Sequence, residues 1–275
     1  MRIEELLRTS LDDAFLSFLD VETTGLYPSA GHRICEIGIS RVRGWKEVGF
    51  FSTLVNPGRH IPSDATMVNG ITDSMVRDAP KFEEIANEVL DMLVETVVVC
   101  HNVSFDMGFL RKEMDIAGID LPPLLTLDTL ELARNWFDFP SNSLDFLAKA
   151  FEIPSPRHRG IEDARTTCQL LKSMIGFVSR RGVEIRTIGD LLLAQTGLNN
   201  EGEMRKRERI MEAMERGRRI RISYISWTGE LSRREVYPKG LQGQYLFAFC
   251  TMRGEDRTFK ISRILEIELL EEDST

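Results

Sequence analysis

Cysteine is scarce in this sequence. Its 275 residues include four, Cys35, Cys100, Cys168 and Cys250, set far apart with no CxxC pair. That excludes a disulfide framework or a cysteine-rich zinc site and leaves reduced core residues as the expectation. Long apolar runs are also missing. None reaches the roughly 18 residues of a membrane span, and the first twenty residues carry acids throughout, unlike a secretory leader. A cytoplasmic protein with no membrane partner is expected. Nor is there a surplus of positive charge: Lys and Arg number 35 against 43 Asp and Glu, a net −8. This excludes a polycation that coats nucleic acid. It does not exclude acids that hold divalent metal, with the metal meeting the phosphate.

The charge is unevenly spread. Residues 1–200 hold 20 Lys/Arg and 29 Asp/Glu, a net −9, whereas residues 205–263 hold 15 bases and 7 acids, a local +8. Two units of different character are therefore expected. The first reads as α/β, with strands at 15–21, 33–43, 46–55, 96–99 and 124–127 and helices at 83–94, 104–117, 128–138, 143–151 and 161–178. Residues 179–208, broken by Gly182, Gly189 and Gly197, read as a linker with a short helix. After a helix at 209–216, five short strands with turns at Trp227-Thr228-Gly229, Lys239-Gly240, Gln242-Gly243 and Arg253-Gly254 predict a small all-β barrel. The expected division is an N-terminal extension 1–13, a catalytic unit 14–178, a linker 179–208 and a barrel unit 209–275.

Acids stand at three telling places. Asp20-Val21-Glu22 ends an apolar strand, and residues two apart on a strand share a face. Such strand ends are where α/β folds bind ligands. His101-Asn102-Val103-Ser104-Phe105-Asp106 follows another apolar strand. Ser104 is expected to cap the next helix, which puts Asp106 in the first turn, near the positive end of the dipole. His158-Arg159-Gly160-Ile161-Glu162-Asp163 leads into the last helix of the unit. Taken singly, Asp106 reads as an ordinary first-turn acid and His158 as a surface loop residue. Together, four carboxylates and an imidazole suit two hard divalent cations, Mg²⁺ or Mn²⁺, and a base that takes a proton from water. Phosphodiester hydrolysis is the chemistry that fits.

At this point a resemblance enters. Residues 15–178 resemble the DEDDh-type (DnaQ-like) 3′→5′ exonucleases, the family of the proofreading subunit of bacterial DNA polymerase III, ribonuclease T and oligoribonuclease. The matching strings are FLDVETTGL, HNVSFDMGFL and HRGIEDA, with DTLELAR and SLDFLAKAFEI between the last two and NPGRHIPSDATMVNGITDSMV between the first two. The resemblance implies a ribonuclease H-like mixed sheet flanked by helices. It implies that Asp20, Glu22, Asp106 and Asp163 hold two metals and that His158 is the general base. Thr23, Thr24, Gly25 and Leu26 would grip the terminal nucleotide, supported by His101 and Phe105. The substrate would be nucleic acid with a free, single-stranded 3′ end, DNA or RNA, and a DNA polymerase or repair complex is an implied partner. Asn69 departs from the pattern, which has histidine there.

The tail resembles a WYL domain, a small Sm- or SH3-like barrel, through ISYISWTGELSRREVYPKGL, QYLFAFC and RGEDRTFKISRI, with Gln244 in place of the name-giving tryptophan. Arg233, Arg234, Tyr237, Arg253, Arg257 and Arg263 are its candidate contacts to nucleic acid or a small ligand, since arginine with aromatics can pair with phosphates and stack on bases. The alternative to an enzyme is a binding or regulatory protein that works through this tail.

Overall fold

The computed structural model describes residues 3–137, 139–154, 159–196, 201–226 and 231–270, with the backbone alone at residues 3 and 201–205. A first sheet comprises β1 (Phe15–Thr23), β2 (Ile34–Arg43), β3 (Lys46–Leu54), β4 (Val97–Cys100) and β5 (Leu125–Asp128). Its order is β3-β2-β1-β4-β5; the β3-β2-β1 pairings are antiparallel, and β4 and β5 run parallel to β1. The helices are α1 (Ile3–Arg8), α2 (Ser63–Asn69), α3 (Asp73–Val76), α4 (Phe82–Leu93), α5 (Val103–Ala117), α6 (Thr129–Trp136), α7 (Leu144–Ala150), α8 (Gly160–Ser179), α9 (Ile188–Gln195) and α10 (Glu201–Glu215).

Strand β1 is central because both of its faces are apolar. Leu16 and Phe18 pack with residues of α6, α7, α8 and α9 on one side, and Leu19 and Val21 with α4 and α5 on the other. Alternation then assigns Asp20 and Glu22 to the α8 side of the sheet. A close approach of two glycines sets α8 there. A β carbon on Gly38 of β2 would lie 2.1 Å from the Gly160 backbone, so only glycine permits this approach.

Residues 179–208, expected as a linker, carry α9, whose Ile188 and Leu191 are buried in the first core. The N-terminal segment joins the same layer: Leu6 and Leu11 are buried there, the Leu11 N–H donates to the Arg186 carbonyl at 3.0 Å and the Ile188 N–H to that of Thr9 at 3.1 Å. Gln195 stitches α9 to the edge of the sheet by accepting the Asp128 N–H at 2.8 Å.

A second, antiparallel sheet follows, with β6 (Ile220–Ile225), β7 (Leu231–Gln242), β8 (Tyr245–Cys250), β9 (Glu255–Lys260) and β10 (Ile264–Leu269) in the order β10-β6-β7-β8-β9. Ile210 and Ala213 of α10 complete its core. Lys239-Gly240, expected as a turn, lies inside β7. A register shift between Pro238 and Gly240 leaves Lys239 as the extra residue, while Gly240 pairs with Phe247 and the strand continues. The two units meet at Lys260, 7% exposed, whose ammonium donates to the carbonyls of Arg134 and Phe137 at the end of α6. No helix among the described residues is long and apolar enough to cross a membrane.

Candidate metal centre

The three acids of β1 and α8 converge. Carboxylate oxygens of Asp20, Glu22 and Asp163 lie within 4.8 Å of one another. Asp106 reaches the same place from α5. It is 3% exposed, and its Oδ1 accepts the Val21 N–H at 3.2 Å. His158 lies outside the described residues.

Burial pushes the Asp20 carboxyl well above its ordinary range, and the negative charges of Asp106, Asp163, Glu22 and Glu36 push it further. Burial also lifts Asp106, against the pull of the Val21 N–H. Glu22 is pushed up to about 7 by burial and then by Asp163 and Glu36, with Arg159 and Asn69 pulling it down. Crowded oxygen donors of this kind are costly to ionise together. A hard divalent cation, which prefers several oxygens and neutralises them, fits the set.

The neighbouring loops are fixed by polar bonds. The Thr23 hydroxyl donates to the Gly25 carbonyl at 2.7 Å, and Thr24 exchanges bonds with Arg33 through its own N–H and hydroxyl. Leu26 and Tyr27 beyond them are 67% and 64% exposed. Arg33 in turn makes a two-pronged pair with buried Glu113 of α5, at 2.8 and 2.6 Å, which ties that helix to the start of β2. Asn69 is buried; its amide donates to the Thr23 carbonyl at 3.2 Å and accepts the Ile71 N–H at 3.0 Å. It also lines, with Met67, Val68, Met75 and Arg159, a groove of about 360 Å³. His101 is engaged at both ring nitrogens, Nδ1 with the Thr129 hydroxyl at 2.9 Å and Nε2 with the Asn142 carbonyl at 2.8 Å, and burial lowers its pKa. Phe105 packs on Phe109, ring centres 5.0 Å apart.

Ser104 does not cap α5. Its hydroxyl donates to Asn102 Oδ1 at 2.7 Å, and the Asn102 and Val103 N–H groups go instead to Asp128. The helix begins at Val103 with Asn102 in the cap position, so Ser104 lies inside the first turn rather than at its cap. The string DTLELAR contains Asp128, but only the folded sheet brings it beside α5.

In the tail, Arg233 and Arg234 line a cavity of about 310 Å³ together with Arg221, Glu235, Thr251 and Met252. Tyr237 lies elsewhere, with the Arg219 guanidinium 5.9 Å from its ring centre, and Arg257 is tied to Glu255 at 3.0 Å. Arg253 and Arg263 are not among the residues of that cavity. Two of the six candidates thus line this cavity, and Arg221 is an addition that strand register alone supplies.

A mixed sheet of this order, flanked by helices, with acids at the end of its central strand, is the ribonuclease H-like nuclease architecture. The family described as Exonuclease (RNase_T) matches residues 17–171, and the chain belongs to it. A WYL domain matches residues 206–269. Among relatives, the DNA polymerase III subunit epsilon of Rickettsia prowazekii is 34% identical over 171 residues, covering 58% of this chain and 72% of that one. The PolC-type DNA polymerase III of Caldanaerobacter subterraneus subsp. tengcongensis is 37% identical over 177 residues, 64% of this chain but 12% of the polymerase. The chain thus spans a small part of that relative. A solved structure of Exonuclease X in complex with 5′ overhanging duplex DNA is similar at a TM-score of 0.52 and 26% identity, covering 66% of this chain and 99% of that one. Exonuclease I (apo), at 15% identity and a TM-score of 0.54, covers 91% of this chain and 63% of its own. That likeness is one of fold, and it extends through both units.

Proposed function

We propose that this chain is a metal-dependent 3′→5′ exonuclease that hydrolyses DNA from a free, single-stranded 3′ end and releases nucleoside 5′-monophosphates. The convergence of Asp20, Glu22 and Asp163 beside Asp106 carries this reading. These four carboxylates would hold two divalent cations, Mg²⁺ or Mn²⁺. When bound, the cations supply charge neutralisation at the phosphate and a more acidic water. His158 accepts the proton of the attacking water at its imidazole nitrogen. Thr23, Thr24 and Gly25 hold the terminal nucleotide through a loop already fixed by its own hydrogen bonds, with exposed Leu26 and Met67 as apolar walls for the base. The subunit epsilon and PolC-type relatives support a DNA polymerase or repair complex as partner. The WYL unit is proposed to hold nucleic acid or a small ligand near the Arg233 and Arg234 cavity.

The test is incubation of the full chain with 3′-labelled single-stranded DNA and Mn²⁺, with a matched RNA in parallel. Mononucleotide release is expected; His158→Ala should lower it by about 10² or more, the usual contribution of a positioned base, and Asp106→Ala, which removes a metal-holding carboxylate, should lower it strongly as well. No mononucleotide from the parent chain would overturn the activity. Variants that cut as fast as the parent would overturn the assigned roles.

A further inference from the structure

The two helices that deliver Asp106 and Asp163 do not cap themselves. Neither Asn102, ahead of α5, nor Arg159, ahead of α8, makes a side-chain cap bond. The first N–H groups of a helix have no partner within it and must find one elsewhere. Here a carboxylate on a neighbouring strand takes them in both cases. Asp128, the last residue of β5, accepts the Asn102 N–H at 3.1 Å and the Val103 N–H at 2.9 Å. Glu36, near the end of the β1–β2 pairing and 1% exposed, accepts the Gly160 N–H at 3.2 Å and the Arg159 Nε–H at 2.9 Å. A carboxylate at a helix N-terminus also meets the positive end of the dipole.

The backbone needs this hold. Asn102 stands at φ 90°, a left-handed conformation that a residue with a β carbon adopts at a cost. Gly160 is pressed against Gly38, the residue two along from Glu36 on β2. Glu36 is also the register partner of Glu22. One strand residue therefore lies across from one acid of the cluster and bonds to the helix that carries another.

We propose that Glu36 and Asp128 are positioning residues of the metal centre, each fixing the start of one helix so that Asp163 and Asp106 meet the β1 acids. The proposal rests on the reading of those acids as metal ligands. Glu36 and Asp128 are not ligands: the Glu36 oxygens go to Arg159 and Gly160, and those of Asp128 to Asn102, Val103 and Leu130. Removing a group that orients a ligand typically weakens metal binding by about 10- to 100-fold.

Calorimetric titration of the full chain with Mn²⁺ tests this, with circular dichroism as the control for folding. Asp128→Ser keeps a cap for α6, where serine serves well, but is too short to reach α5. Glu36→Leu removes both acceptor oxygens at similar bulk, and Glu36→Gln returns one to Gly160. Asp128→Ser and Glu36→Leu are expected to weaken Mn²⁺ binding at least about tenfold with unchanged dichroism, lowering kcat more than KM, while Glu36→Gln recovers most of the affinity. Parent-like affinity in folded Asp128→Ser and Glu36→Leu overturns the proposal. So does a Glu36→Gln variant as weak as Glu36→Leu. Should Glu36→Leu fail to fold, Asp128→Ser decides. A parent chain that binds no Mn²⁺ overturns the metal reading itself, which separates the two failures.

Discussion

Burial, and after it the surrounding carboxylates, resist the ionisation of Asp20, and Glu22 beside it is pushed up to about 7. An acid whose pKa is higher folded than unfolded binds more protons in the folded state. Its contribution to stability is therefore lost as pH rises from the unfolded pKa through the folded one. For Glu22 that window runs from its ordinary 4.5 to about 7. In EDTA the melting temperature should fall by several degrees as pH rises across this range, and Mn²⁺ should restore it at neutral pH, since a ligand of the folded state stabilises by mass action. A melting temperature independent of both pH and metal would contradict this. Asp20→Asn should raise the metal-free melting temperature at neutral pH while abolishing Mn²⁺ binding. These acids were legible in the sequence because each sits at a place that periodicity can find, a strand end or the first turn of a helix. Glu36 was not, because its importance lies in its register opposite Glu22 and its reach to Gly160, and a single strand pattern contains neither.

At the level of elements, the approach of α8 to β2 depends on two glycines. Gly38→Ala would put a β carbon 2.1 Å from the Gly160 backbone, and since backbone cannot yield like a flexible side chain, the helix must move. The expected outcome is a loss of roughly 1 to 3 kcal/mol or more, the usual range for overpacking, read in thermal melts, together with weakened Mn²⁺ binding because Asp163 moves with α8. Parent-like metal affinity would show that the helix start tolerates displacement. Most strands and helices of the first unit were readable from their apolar period, including the β2–β3 hairpin around Gly44. The misreadings have physical causes. Lys239-Gly240 has the composition of a turn, yet a bulge carries β7 through it. Glycines around Leu191 suggested a linker, yet the apolar face of α9 is buried against the first core.

Across the whole molecule, the net charge of −8 averages an acidic nuclease unit and a basic stretch behind it. If the tail delivers substrate, deleting residues after Arg205 should weaken nucleic-acid binding and flatten its salt dependence while leaving cleavage of saturating short oligonucleotide intact. An unchanged salt slope would exclude that role. Lys260, seated on the carbonyls that end α6, makes the two units neighbours rather than beads on a string. The borrowed caps also have a temporal meaning. The bond from Gly160 to Glu36 joins residues 124 positions apart, whereas that from Asn102 to Asp128 spans 26. Contacts so distant in sequence close late in folding, because their loop entropy must be met first. A chain emerging from the ribosome would thus hold Asp20, Glu22 and Asp106 before α8 arrives, and the four-carboxylate cluster would be complete only once the first domain is finished.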